Sequence, residues 1–242
     1  MTSGLPWKNV NDVVLSVLVP AYDEAPTIET ALDRLAAVPL RLEVIVVNDG
    51  SRDATGAVLD SLKAKGKVHT VVHHPVNRGK GAAIRSAIAA ATGDVMVVQD
   101  ADLEYDPAEL PKLILPILDG RADAVFGSRF MGGAPHRVLY FWHRLGNGLL
   151  TLLSNMLTDL NLTDMETCYK MVRTDVMRRL TLTTNRFGFE PELTARLAQA
   201  RARVYEVAIS YSGRTYAEGK KIGWKDGAAA VWHILRFNLF RP

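Results

Sequence analysis

Cysteine is nearly absent: Cys168 is the single one in 242 residues. That excludes an internal disulfide framework and any all-cysteine metal centre. One free thiol suits a reducing compartment, so a cytoplasmic setting is expected. Long apolar runs are missing too. No stretch approaches the roughly 18 uncharged apolar residues that cross a bilayer, since residues 148–157 and 228–235 are too short or carry polar side chains. The start Met1-Thr2-Ser3-Gly4 has neither a basic nor an apolar leader region, so no signal peptide is expected. Charge of one sign is also scarce. Lys and Arg total 29 against 26 Asp and Glu, a net charge of +3, and the basic residues are scattered. Nucleic acid is therefore not an expected partner. Hydrophobic residues make up 48% and charged residues 23%, which excludes a mostly disordered chain.

The first half alternates between strand and helix patterns. Val13-Val14-Leu15-Ser16-Val17-Leu18-Val19 is a β-branched run ended by Pro20. Further strands are expected at 42–47, 67–73, 94–98 and 122–126, with helices at 27–37, 55–64 and 80–91. Apolar runs separated by helix-length segments predict an α/β fold with a largely parallel sheet. Such sheets bind ligands at the carboxyl ends of their strands. From Pro135 the character changes. Two amphipathic helices are expected around Gly146-Asn147-Gly148, then a polar stretch at 163–170, helices near 174–181 and 190–202, a strand at 204–211 and a final helix to Phe240. No internal repeat or low-complexity linker is found. One domain over 1–242 is expected, with a ligand-binding half at about 13–130, a second half at about 131–227 and an amphipathic helix at 228–242.

The first, second and fourth strands end in Pro20-Ala21-Tyr22-Asp23-Glu24, Asn48-Asp49-Gly50-Ser51 and Gln99-Asp100-Ala101-Asp102, all polar and acidic. In extended chain, residues i and i+2 point the same way, so Asp100 and Asp102 can share one divalent cation. Hard oxygen ligands favour Mg2+ or Mn2+ over zinc, and Glu104 is a third candidate ligand. The bland alternative is a solvated acidic loop capping a helix. Asp49 suits a base N–H, or an Asx-turn in its own right. Tyr22 and Glu24 lie at the first strand end, where the ring suits stacking on a base; the bland alternative is loop packing and a charge at a helix N-terminus. Asn77-Arg78-Gly79-Lys80-Gly81 opens a helix and suits a phosphate edge, but it lacks the spacing of a Walker loop. Arg129 follows the fifth strand, aimed into the cleft or simply at the surface. Arg214, Lys220 and Lys221 sit among glycines, as phosphate binders or as a solvated basic loop. The histidines show no metal-ligand spacing, and Cys168 reads as packed.

Taken in order, these motifs are similar to those of family 2 glycosyltransferases of the GT-A fold, above all the dolichol- or polyprenyl-phosphate sugar synthases. The likeness is carried by the strand-end segments at 19–24, 47–53 and 99–102, by 77–81 and Gly127-Ser128-Arg129, by Asp164-Met165-Glu166-Thr167-Cys168-Tyr169-Lys170, and by 214–221. It implies a nucleotide-diphosphate sugar donor of the GDP-mannose or UDP-glucose type, a Mg2+ or Mn2+ ion, and hexose transfer with inversion. By position, Pro20, Ala21, Tyr22, Glu24, Asp49, Lys80, Gln99 and Asp100 would bind the nucleotide sugar. Asp100, Asp102 and Glu104 would hold the metal. Asp102, Arg129, Arg214 and Lys220 would carry the transfer, with Asp164 and Glu166 as base candidates for a hydroxyl acceptor. Departures from the pattern are Asn48, where many relatives have an aspartate, and Cys168, where many have a glycine.

The implied acceptor is a polyprenyl phosphate, and the alternative is a soluble hydroxyl on a saccharide or small hydroxy acid. A lipid acceptor would explain the aromatic-basic segments. Tyr140, Phe141 and Trp142 stand beside Arg137 and Arg144, while Trp224, Trp232, Phe237 and Phe240 accompany Lys225, Arg236 and Arg241. Such helices suit a peripheral contact with the cytoplasmic face of an anionic membrane, or a core-facing or homodimer contact. A nucleotidyltransferase would carry a glycine-rich loop after the first strand, and a dehydrogenase a Gly-x-Gly-x-x-Gly there; neither is present.

Overall fold

The computed structural model describes residues 9–133, 135–138, 140–215 and 224–240, without the side chains of 224–226. The strands are β1 (Val14–Ala21), β2 (Arg41–Asn48), β3 (Thr70–His73), β4 (Val95–Val98), β5 (Ala124–Ser128), β6 (Lys170–Arg173) and β7 (Val204–Ala208). They form one sheet in the order β3-β2-β1-β4-β6-β5-β7. Only β6 runs against its neighbours. Leu15, Val17, Leu18, Val19, Val44 to Val47 and Val95 to Val98 are all buried. Burial on both faces is why these strands read as unbroken apolar runs.

The helices are α1 (Ile28–Ala36), α2 (Thr55–Ala64), α3 (Lys80–Ala90), α4 (Leu110–Leu118), α5 (Phe141–Thr158), α6 (Thr174–Met177), α7 (Phe189–Gln199) and α8 (Trp224–Leu239). The first three fall where the apolar periodicity places them, although on α2 the buried residues are Thr55, Leu59 and Leu62 and Ala57 is exposed. On α1, Ile28, Ala31, Leu32 and Leu35 are buried, as one helical face requires.

Beyond β4 the chain differs from the pattern in four places. Helix α4 is unpredicted, and it contains Pro111 and Pro116. Pro111 lies in the first turn, where a missing N–H costs nothing. Pro116 lies in the last, and its carbonyl still accepts from Arg121 and Ala122. The region around Gly146 and Gly148 is one continuous helix, not two. Each glycine costs a helix about 1 kcal/mol relative to alanine, a loss that packing of α5 against α7 and α8 offsets. The expected polar stretch at 163–170 is mostly interior: Asp164, Met165, Thr167, Cys168, Tyr169 and Lys170 are all buried, and the chain runs from them into β6. The strand expected over 204–211 stops at Ala208, and beyond it Tyr211 makes an isolated bridge with His136.

Candidate active site

The ends of β1 and β2 are stitched together. Asp49 N–H donates to the Ala21 carbonyl at 2.8 Å. Asp23 N–H donates to Ser51 Oγ at 3.0 Å, and Arg52 N–H donates back to Asp23 Oδ1 at 2.7 Å. Glu24 N–H donates to Thr55 Oγ1, and Thr27 Oγ1 donates to Glu24 Oε2 at 2.8 Å. This lacing holds Pro20, Ala21, Tyr22 and Glu24 at the carboxyl edge of the sheet. The turn after β2 is made by Asn48, whose Oδ1 accepts from Ser51 N–H at 3.0 Å. Asp49 is therefore released for another task. It is 2% exposed, and it accepts from Arg78 N–H at 3.0 Å, Gly79 N–H at 2.7 Å and, on the side, His74 Nδ1 at 2.6 Å. A buried carboxylate thus clamps the start of α3 to the end of β2. His74, read as structural, also contacts Ser86 Oγ at 2.9 Å.

That clamp delivers Lys80, the first residue of α3, to the end of β4. Its Nζ lies 2.9 Å from Asp100 Oδ1 and 3.0 Å from Glu190 Oε1. Burial pushes the ammonium down, but Asp100 and Glu190 outweigh it and hold it well above its ordinary range. Gln99 turns inward instead: it is 1% exposed, accepts from Tyr169 Oη at 2.5 Å and donates to the Asp100 carbonyl.

The chain turns after Asp100, so Asp100 and Asp102 do not share one partner, as an extended strand end would have allowed. Leu103 takes a left-handed φ of 66°, which sets Asp102 and Glu104 around a common cation. That cation is Arg214: Nη2 is 2.8 Å from Asp102 Oδ2, and Nε is 3.3 Å from Glu104 Oε1. Arg214 N–H and Tyr211 Oη also donate to Glu104, at 2.8 and 2.7 Å. Burial, then Asp100 and Glu104, push the Asp102 carboxyl up to about 7 despite Arg214. Among the described residues, no three Asp, Glu, His or Cys side chains gather as a complete metal centre. The donor chemistry nevertheless fits. Asp102 and Glu104 offer hard oxygens that already surround a positive charge, and a Mg2+ ion ordinarily takes its remaining ligands from water and substrate phosphates.

Beyond β5, Arg129 and Asp164 take each other. Nε and Nη2 meet the two carboxylate oxygens at 2.7 and 2.8 Å, and Arg129 N–H adds a third bond at 3.0 Å. Both oxygens of Asp164 are committed. Arg129 lies over the rings of Tyr211 and Phe130, at 5.2 and 5.3 Å. Glu166 stands differently, because its Oε1 is buried without a hydrogen-bond partner. Burial and then the nearby Glu190 push its carboxyl up to about 7. Lys170 holds this segment from beneath: Nζ donates to the Met165 and Thr167 carbonyls at 2.5 and 2.9 Å. Burial lowers its ammonium to about 8. Cys168 is buried, as expected.

The structure thus brings Lys80 to Asp100, Arg214 to Asp102 and Glu104, and Arg129 to Asp164. Lys220 and Lys221 lie outside the described residues. Sequence reasoning missed Glu190, Tyr211 and Lys170. Glu190 precedes Pro191 and Glu192 at a helix start, where acids are ordinary. The available signal was a second acid on a helix whose other early residues are apolar.

The family model described as "Glycosyl transferase family 2" matches residues 16–181. The chain is similar to an undecaprenyl-phosphate mannosyltransferase from Micrococcus luteus, with 29% identity over 228 residues, 92% of this chain and 93% of that protein. It is similar to a polyprenol monophosphomannose synthase from Mycolicibacterium smegmatis, with 30% identity over 216 residues, 86% of this chain and 80% of that one. Among solved structures, a Mycobacterium tuberculosis glucosyl-3-phosphoglycerate synthase in complex with Mn2+, UDP and glucosyl-3-phosphoglycerate matches with a TM-score of 0.70. Its identity is 22%, over 93% of this chain and 80% of that one, so the likeness is one of fold. That fold is the GT-A type expected from the strand-end motifs.

Proposed function

The chain belongs to glycosyl transferase family 2, and from that premise we propose that it moves a hexose, with inversion, from a nucleotide-diphosphate sugar of the GDP-mannose or UDP-glucose type to a polyprenyl or dolichyl phosphate. Tyr22, Glu24 and Asp49, with Pro20 and Ala21, border the nucleoside. Lys80 and Asp100 flank the diphosphate, with Gln99 bracing Asp100 from inside. Asp102 and Glu104 would hold a Mg2+ or Mn2+ ion, which would offset the charge gathering on the departing nucleoside diphosphate. Arg129 and Arg214, with Lys220, lower the repulsion between a phosphate acceptor and the donor. A phosphate oxygen is already ionised near neutral pH, its second pKa being about 6, so this acceptor needs no strong base.

The observation that carries the lipid acceptor is the outward apolar face of α5. Phe141, Trp142, Leu145, Leu149, Leu152 and Met156 are exposed along one face at helical spacing, while Thr151 and Ser154 are buried. Trp232 on α8 and Phe240 just beyond it add exposed aromatic surface, while Phe237 packs inward, unlike the interfacial position expected for it. The Trp224 and Lys225 side chains and Arg241 lie outside the described residues. An apolar ridge of this size, flanked by Arg144 and Arg236, suits a peripheral contact with an anionic bilayer. No helix among the described residues is long and apolar enough to cross a membrane. The test is transfer of labelled sugar to a polyprenyl phosphate, with extraction of the product into organic solvent. Label that stays in water, on a soluble acceptor, refutes the reading.

One observation favours the second reading, a soluble hydroxyl acceptor. Glu166 keeps an unpartnered buried oxygen and a carboxyl that changes charge near neutrality. With Asp164 committed to Arg129, Glu166 is the residue able to take a proton from an alcohol. Glu166→Gln separates the two: a hydroxyl acceptor loses about 10²–10⁴ in kcat, and a phosphate acceptor loses far less.

A further inference from the structure

The motif reading gave no role to Glu190. It is 7% exposed at the first turn of α7, and its carboxylate lies 3.0 Å from the Lys80 ammonium that also meets Asp100. The approach is built by the backbone. Segment 183–186 lies directly on the start of α3: Ala82 N–H donates to the Asn185 carbonyl at 3.0 Å, and Arg85 Nη1 donates to the Thr184 carbonyl at 2.9 Å. A Cβ at Gly79 or Gly81 would overlap those same two carbonyls, so the seam closes only over glycines. Glu192, two residues along, fastens the segment to α7 by accepting from Thr183 N–H and Thr184 N–H, each at 2.8 Å. Phe189, 1% exposed, anchors the helix start in the core.

A lysine is a point charge on a flexible four-carbon stem, and it does not by itself define where its charge sits. Two carboxylates carried by separate elements do define it. Resting on the nucleotide-sugar reading above, we propose that Glu190 is a positioning residue for the donor: with Asp100 it pins the Lys80 ammonium at the carboxyl end of β4, where the diphosphate is received. The donor meets a cation already in place, so little ordering remains to be done on binding. The pin also links the halves of the chain, since α7 carries Glu190 and is itself packed against α5 and α8.

The experiment is calorimetric titration of the full chain with GDP-mannose and UDP-glucose in Mn2+, for wild type, Glu190→Gln, Glu190→Asp, Lys80→Gln and the Glu190→Gln/Lys80→Gln double variant, with Tm recorded for each. Glu190→Gln is expected to weaken donor binding roughly ten- to a hundredfold, the worth of a charged hydrogen bond, and to raise KM more than it lowers kcat. Glu190→Asp, which keeps the charge on a shorter arm, recovers part of the loss. In the Lys80→Gln background, Glu190→Gln adds less than about threefold, because the partner it acts through is gone. A merely structural role would lower Tm and add its penalty in full in both backgrounds. That additivity overturns the proposal, as does wild-type affinity in Glu190→Gln. Should Glu190→Gln not fold, Glu190→Asp with undiminished donor affinity overturns it equally. Failure of the wild-type chain to bind either nucleotide sugar brings down the functional reading first; wild-type binding with an indifferent Glu190 brings down this inference alone.

Discussion

At the strand ends, acids are drawn into the protein and each meets a cation supplied by a distant segment: Asp100 meets Lys80, Asp164 meets Arg129, and Asp102 with Glu104 meets Arg214. Along α5 large apolar side chains are instead left outside, with Phe141, Trp142, Leu145, Leu149, Leu152 and Met156 exposed on one face while Leu150, Leu153 and Leu157 pack inward. Both regions break the ordinary sorting of side chains, but in different ways. Buried charge is tolerable where it is paired within the chain, so the strand-end cluster is self-sufficient until a ligand arrives. The α5 face has no such internal answer among the described residues. Large apolar patches on proteins mark interaction surfaces, and none of the described residues covers this one.

The strongest challenge to this contrast is Asp102→Asn. If the acid cluster is catalytic rather than structural, activity falls by about 10³ or more, while Tm holds or rises because like charges next to Asp100 and Glu104 are relieved. A Tm loss with activity retained would make the cluster a structural network. Next is Trp142→Glu with Leu149→Glu and Met156→Glu. Flotation with anionic vesicles should be lost and transfer to a lipid phosphate should drop roughly ten- to a hundredfold, with donor binding and Tm unchanged, because exposed substitutions rarely move stability by more than about 0.5 kcal/mol. Unchanged flotation would remove the membrane from the account and leave catalysis standing.

A third change tests the joint between the regions. A Cβ on Gly188 would sit 2.6 Å from the His233 ring of α8. Gly188→Ala should cost about 1–3 kcal/mol by overpacking, and it should disturb donor affinity because Glu190 follows two residues later. Calorimetry and donor titration check both. The smallest effect concerns Glu166. Its carboxyl is held at about 7, above the ordinary 4.5. Between those values the folded state binds more protons than the unfolded, so this group's contribution to stability is full below about pH 4.5 and lost as pH rises through 7. Glu166→Gln should therefore flatten the fall in Tm between pH 5 and 7 and gain a few degrees, roughly 3–8 °C, at pH 8. Parallel Tm profiles for the two proteins would contradict this.

What could be read from the chain follows the same division. The parallel strands were legible because burial on both faces leaves unbroken apolar runs, and three of their ends carried acids. The pairings were not, because Arg214 lies 110 or more residues from its carboxylates and periodicity says nothing about separations of that length. Strand β6 escaped because it opens with Lys170, a residue that reads as surface but lies buried with its ammonium on two carbonyls. Helix α4 escaped, and it carries Pro111 and Pro116, residues that ordinarily interrupt a helix but are tolerated in its first and last turns. The glycines of α5 suggested a turn, yet tertiary packing overrode them, as it commonly overrides local propensity.

The outward leucines of α5 carry a practical consequence for anyone handling the protein. In plain buffer the molecule should behave as a mild amphiphile: retained on hydrophobic resins, drawn to air–water boundaries, and sticking to itself when concentrated. A trace of non-ionic detergent, by coating that one ridge, should abolish all of these together without touching the strand-end chemistry.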